Sequence, residues 1–156
     1  MAAHYSIIIK KDIMAKVNPY LNFNGNTEEA FNFYKSVFGG EFTMLQKFKD
    51  TPHGDNMSAT DKEKVMHVAL PITKETTLMA TDMLESMGQQ YNPGNNFSLA
   101  IAPDTKEDGE RFFNALAAGG LVQMPFEKAF WGAWFGALTD KFGIQWMVNF
   151  DEKPVE

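Results

Sequence analysis

Residues Asn26–Gly40 read NTEEAFNFYKSVFGG, and residues Asp104–Gly120 read DTKEDGERFFNALAAGG. Both stretches open on an Asx residue followed by threonine, with glutamate three positions after the Asx (Glu29 and Glu107). The Asx oxygen can accept from the free N–H groups of a first helical turn, and the glutamate complements the helix dipole there. Both stretches stop at Gly-Gly, where a left-handed C-cap costs little. Between these ends, Ala30, Phe33, Tyr34 and Val37 share one helical face, as Phe112, Phe113, Leu116 and Ala117 do in the second copy. The chain therefore carries one capped amphipathic helix twice.

Strand-like runs surround each helix. In 17–23, Val17, Leu21 and Phe23 fall on one side and Asn18, Tyr20 and Asn22 on the other. Before the second helix, Phe97, Leu99 and Ile101 alternate with Ser98, Ala100 and Ala102. Further strands are predicted over 41–48, 65–72 and 77–81, then over 121–124, 134–138 and 144–150. The order is strand, helix, three strands, repeated. Polar, turn-rich residues mark a loop over 50–64 and a linker over 85–95. We assign 14–84 to a first βαβββ module and 96–156 to a second, joined by the linker into one α+β domain. The apolar strand faces should receive the helices. The opposite faces, with Asn18, Tyr20, Asn22, Ser98, Gln145 and Asn149, suit the wall of a cleft in a curved mixed sheet.

The totals narrow the function. A chain of 156 residues can bury a full core without a staple, and it contains no cysteine for thiol chemistry, zinc ribbons or disulfides. That fits a reducing cytoplasm. A net charge of −6 and a single arginine, Arg111, argue against a nucleic-acid partner. No apolar run is long enough to span a membrane as a helix. Met14 follows Lys11-Asp12-Ile13, and we expect residues 1–13 to be a leader with Met14 the natural start; an extra edge strand is the alternative.

All three tryptophans lie in 130–146, FWGAWFGALTDKFGIQW. Asp140-Lys141-Phe142-Gly143 reads as a hairpin turn. In the strand after it, Trp146 shares a face with Ile144, Val148 and Phe150 and is expected in the core. Gly136 marks a bulge or a close approach by another backbone or a ligand. Trp131 and Trp134 fall outside the core pattern; they suit either a cleft rim or a dimer interface. Phe142 is counted with them as a ligand-contacting ring.

His67 is the histidine most suited to chemistry, since Ala69 leaves room beside it and imidazole titrates near neutrality. It can act as a general base with Asp82 as its orienting carboxylate. Equally, it can be a hydrogen-bonded wall residue, with Asp82 a strand-end cap. Tyr20 and Asn22 can orient a ligand, or satisfy each other and water.

The blocks NPYLNFNGNTEEAFNFYKSVFGG, VMHVALPI, LMATD and FWGAWFGALTDKFGIQWMVNF together resemble the PhnB-like branch of the vicinal oxygen chelate superfamily, over about residues 16–150. The resemblance implies the glyoxalase/bleomycin resistance fold, with paired modules enclosing a cleft, and a homodimer. Proteins of this branch often carry a methyltransferase label. This chain has no G-x-G turn to hold S-adenosylmethionine. Metal-dependent relatives chelate a divalent ion with His and Glu from both modules. Near the corresponding positions stand Asn18 or Tyr20, Asp82, Asn96 or Ser98, and Gln145 or Met147. Asp82 alone is a good hard-metal ligand among them, so no metal site and no cofactor is expected, with a divalent ion left open. Two functions follow. The first is metal-free binding of a small apolar or aromatic molecule by Tyr20, Asn22, Trp131, Trp134 and Phe142. The second is a lyase, isomerase or dioxygenase using His67 and Asp82.

Overall fold

The protein is described here by a computed structural model covering residues 15–152. The leader expected over 1–13, with its start at Met14, lies outside the described residues. The first module runs β1 (Tyr20–Phe23), α1 (Thr27–Phe38), β2 (Met44–Lys47), a short helix α2 (Ala59–Lys62) within the loop, β3 (Val65–Pro71) and β4 (Thr77–Asp82). The second runs β5 (Leu99–Ile101), α3 (Lys106–Ala117), β6 (Leu121–Lys128), β7 (Ala133–Thr139) and β8 (Gln145–Asp151). The sheet orders are β1-β4-β3-β2 and β5-β8-β7-β6. In each, the first strand lies parallel to the last and the remaining pairs are antiparallel. The two sheets stay separate and neither closes. These are the expected paired βαβββ modules.

Alternation along the strands sets the layers. Leu21, Phe23, Val68, Leu70, Leu78 and Ala80 are buried beneath Ala30, Phe31, Tyr34 and Val37 of α1. In the second module Phe113 and Leu116 of α3 meet Leu138, Trp146 and Val148. Trp146 is core, as its parity required. Phe33 packs against this core only partly buried, while Phe31 is fully buried in it. Phe33 turns toward the other module, with its ring 5.6 Å from that of Phe142.

The helix starts differ from the reading of the repeat. Asn26 makes no side-chain cap bond. The first turn of α1 is held instead by Asp82, whose Oδ1 accepts from the Gly25 N–H at 3.0 Å, the Thr27 N–H at 3.1 Å and the Thr27 hydroxyl at 2.7 Å. In the second module the cap is Thr105, one residue beyond Asp104, accepting from the Asp108 N–H at 3.1 Å. Both helices end beside glycines of positive φ, +80° at Gly39 and +76° at Gly119, but Gly39, with ψ of −165°, lies outside the left-handed helical region expected of a cap.

A buried carboxylate joins the modules. Asp140 Oδ2 accepts from the Tyr34 hydroxyl at 2.6 Å and the Trp146 indole N–H at 2.8 Å. Its Oδ1 accepts from the N–H groups of Phe142 at 2.8 Å and Ile144 at 3.0 Å. Burial, and then the neighbouring Asp140 charge, push the Tyr34 phenol far above its ordinary pKa, so it remains a donor. Rings extend the contact: Phe38 lies 5.4 Å from Phe112 and 5.7 Å from Trp146.

Gly136 is a close-approach glycine on the helix side of β7. A Cβ there would stand 2.6 Å from a Phe113 ring carbon and 2.9 Å from the Phe126 Cα. Gly136→Ala should therefore destabilise the protein by about 1–3 kcal/mol through overpacking. Urea unfolding should show a lower midpoint with an unchanged slope; an unaltered midpoint would mean that Phe113 yields freely.

Candidate functional site

The side of each sheet away from the helices carries the polar positions. In the first sheet, Tyr20 stands beside Met79, and Asn22 beside Thr81. Gln46 lies beside His67, and Met79 beside Ala69. This wall is imidazole, phenol, amide, hydroxyl and thioether. Tyr20 Oη lies 3.1 Å from His67 Nδ1, and the two rings stack at 5.7 Å. Burial raises the Tyr20 phenol above its ordinary pKa, which keeps it protonated near neutrality. In the tautomer whose Nδ1 accepts the phenol proton, Nε2 carries the imidazole hydrogen, and no hydrogen bond among the described residues engages it.

Asp82 does not join this pair. It belongs to the opposite parity of β4, with Leu78 and Ala80, and is buried on the helix side. Its Oδ2 accepts from the Val65 N–H at 2.8 Å, while Oδ1 holds the start of α1. Two residues on adjacent strands meet only when they share a face, and His67 and Asp82 do not.

The expected aromatic contacts divide. Trp134 lies on the helix side of β7, in register with Phe150. Its indole N–H donates to Glu152 Oε1 at 2.7 Å, and Lys106 Nζ sits 3.9 Å from its ring centroid. It therefore caps the end of the core on the helix side. Phe142 is also removed from the expected site, since its ring packs on Phe33 and Tyr34 between the modules. Trp131 remains 53% exposed in the turn after β6, with its ring 5.8 Å from Phe135 on the second concave face.

An open groove of about 600 Å³ lies between the modules. Tyr20 and Asn22 form one side and Gly143, Ile144 and Gln145 the other. Its remaining wall comes from the segment between the modules: Gln90, Tyr91, Asn92, Asn95, Asn96 and Phe97 all line it. The Gln145 amide donates to the Phe97 carbonyl at 2.5 Å and ties that wall down. From the sequence, 85–95 reads as a linker and Phe97 as part of the strand after it, whereas β5 begins only at Leu99. The usable signal was its composition, amides interleaved with two rings and no charge from Gln89 to Phe97.

A chelated divalent ion does not fit this donor set. The groove side offers neutral phenol, amide and thioether groups, and the single carboxylate of the set, Asp82, faces the helix with its oxygens occupied. Among the described residues, no group of three or more His, Asp or Glu side chains could hold a metal ion.

Comparison with known proteins places this geometry. Residues 15–149 match the family described as 3-demethylubiquinone-9 3-methyltransferase, and the chain belongs to that family, the PhnB-like branch of the vicinal oxygen chelate superfamily. It is 30% identical over 141 residues to Protein YjdN of Escherichia coli (strain K12), covering 85% of this chain and 93% of that one. Protein PA1353 from Pseudomonas aeruginosa is 41% identical, with a TM-score of 0.77 over 88% of this chain and 98% of its own. A putative 3-demethylubiquinone-9 3-methyltransferase, PhnB protein, from Bacillus cereus is 26% identical, with a TM-score of 0.70 over 87% and 99%. At 18% identity, a glyoxalase/bleomycin resistance protein from Albidiferax ferrireducens T118 shares the fold, with a TM-score of 0.58 over 88% and 99%.

The separation of His67 from Asp82 has a measurable consequence. Asp82→Ala removes the acceptor of three backbone N–H groups and a hydroxyl, and should cost about 3 kcal/mol or more. His67→Ala, whose bond is to a half-exposed phenol, should cost less than about 1 kcal/mol. Thermal unfolding of the two variants checks this; equal losses would show that the two residues act as one unit.

Proposed function

We propose that the protein binds a small apolar or aromatic molecule in the groove between its modules, without a chelated metal, and does so as a homodimer. The observation that carries this reading is the division of labour between the sheet faces. The one carboxylate near the chelating positions is consumed in holding helix α1. The groove keeps exposed rings and neutral hydrogen-bonding groups. Aromatic surface beside a few oriented polar groups is what small-molecule sites are made of.

The dimer accounts for apolar side chains that the chain leaves uncovered. Leu121, Val122 and Met124 on the edge strand β6, and Met44 and Leu45 on the edge strand β2, are all exposed. Edge strands that carry such residues are ordinarily paired or covered. The methyltransferase description has no support in this chain, which lacks a glycine-rich strand-to-helix turn.

The Tyr20–His67 hydrogen bond favours a second reading, an acid/base enzyme in which His67 exchanges a proton with a bound molecule and Tyr20 fixes its tautomer. Asp82 has no direct part in that version.

Calorimetric titration with a panel of neutral aromatic compounds, in the presence of EDTA, tests the binding reading. At least one compound should bind saturably at one per chain with Kd below about 1 mM, and Tyr20→Ala should weaken it severalfold. Binding that appears only after a divalent metal is added, or no saturable binding by any compound, would contradict it. Sedimentation should show a dimer that Met124→Glu dissociates.

A further inference from the structure

The groove is lined by fifteen residues, and none of them carries a charge. Charged residues make up 22% of the chain, so about three would be expected in a surface patch of that size. What replaces them is a set of six amides: Asn22, Gln90, Asn92, Asn95, Asn96 and Gln145. Three rings stand among the amides. Tyr20 is 46% exposed, Tyr91 39% and Phe97 60%, so each offers flat surface that the fold leaves unused.

Each property excludes a class of ligand. A phosphate, carboxylate or ammonium group entering the groove would lose water and find no counter-charge, and burying an unpaired charge is costly. A purely apolar molecule would strip water from amides and leave them without partners, at a cost per group comparable to a lost hydrogen bond. Amides both donate and accept, as do hydroxyl groups and other amides. Rings bind flat hydrophobic surface.

Resting on the small-molecule reading above, we infer that the ligand is an uncharged molecule combining an aromatic or similarly flat face with several hydroxyl or amide groups, such as an aryl glycoside or a neutral amide-bearing aromatic. The 90–97 segment selects it. The rings hold the flat part, and the amides of both the segment and the two sheets pair with its polar groups. Gln145, already bonded to the Phe97 carbonyl, sets the position of that segment over the groove.

Three probes of similar size separate the classes: phenyl β-D-glucopyranoside, phenyl phosphate and anisole. Titrated calorimetrically against the full chain, the glucoside should bind about tenfold or more tightly than either of the others, the difference two or three added hydrogen bonds provide. Tyr91→Ala and Asn95→Ala, both exposed positions whose loss should leave the melting temperature unchanged, should each weaken the glucoside severalfold. They should leave anisole nearly unaffected in the asparagine case. If phenyl phosphate or anisole binds as tightly as the glucoside, or if neither variant weakens the glucoside, the inference is overturned while the small-molecule reading stands. If no probe binds at all, the inference falls, and the panel titration alone decides the small-molecule reading.

Discussion

The Asp140 carboxylate lies buried between helix α1 of the first module and the turn from β7 to β8 of the second, accepting one hydrogen bond from the helix, two from the turn and one from Trp146 of β8. Each module can form its own sheet and helix from local alternation, but their mutual placement needs something that crosses from one to the other. Asp140 supplies such a contact, and leaving either of its buried oxygens without a donor would be strongly penalised. The rings of Phe33, Phe38, Phe112, Phe142 and Trp146 fill the space around it. Since Gly143, Ile144 and Gln145 follow directly in the chain and line the groove opposite Tyr20 and Asn22, the same turn that fastens the modules also sets the groove's width.

Asp82 plays the corresponding part within the first module. It closes β4 against the start of α1 and the start of β3, so that its four bonds define where the helix begins. The two buried carboxylates thus belong to the scaffold. The residues that line the groove are uncharged, and Tyr20 among them is hydrogen-bonded to His67.

The fold was legible because alternation and repetition are local signals. Parity placed Leu21 and Phe23 inward, placed Trp146 in the core, and set Tyr20 and Asn22 on the open face. Parity also held the answer for Asp82 and Trp134, which share faces with Ala80 and Leu138, and the strand-end alternative for Asp82 is the one its hydrogen bonds fit. At α1 the cap differs because a long-range acceptor, Asp82, takes the place of Asn26, and no local pattern reveals a partner 55 residues away. Tyr34 and Asp140 are 106 residues apart and were illegible for the same reason. The 90–97 segment was readable in composition, but only its position over the groove gives that composition a use.

The central claim is that Asp140 couples the two modules, and a double-mutant cycle on Tyr34→Phe and Asp140→Asn, read from urea unfolding, tests it most directly. The structure predicts a coupling energy of about 1 kcal/mol or more between two residues in different modules. Losses that simply add, within about 0.3 kcal/mol, would show that the modules are held by ring packing alone and that the groove does not owe its shape to this bond.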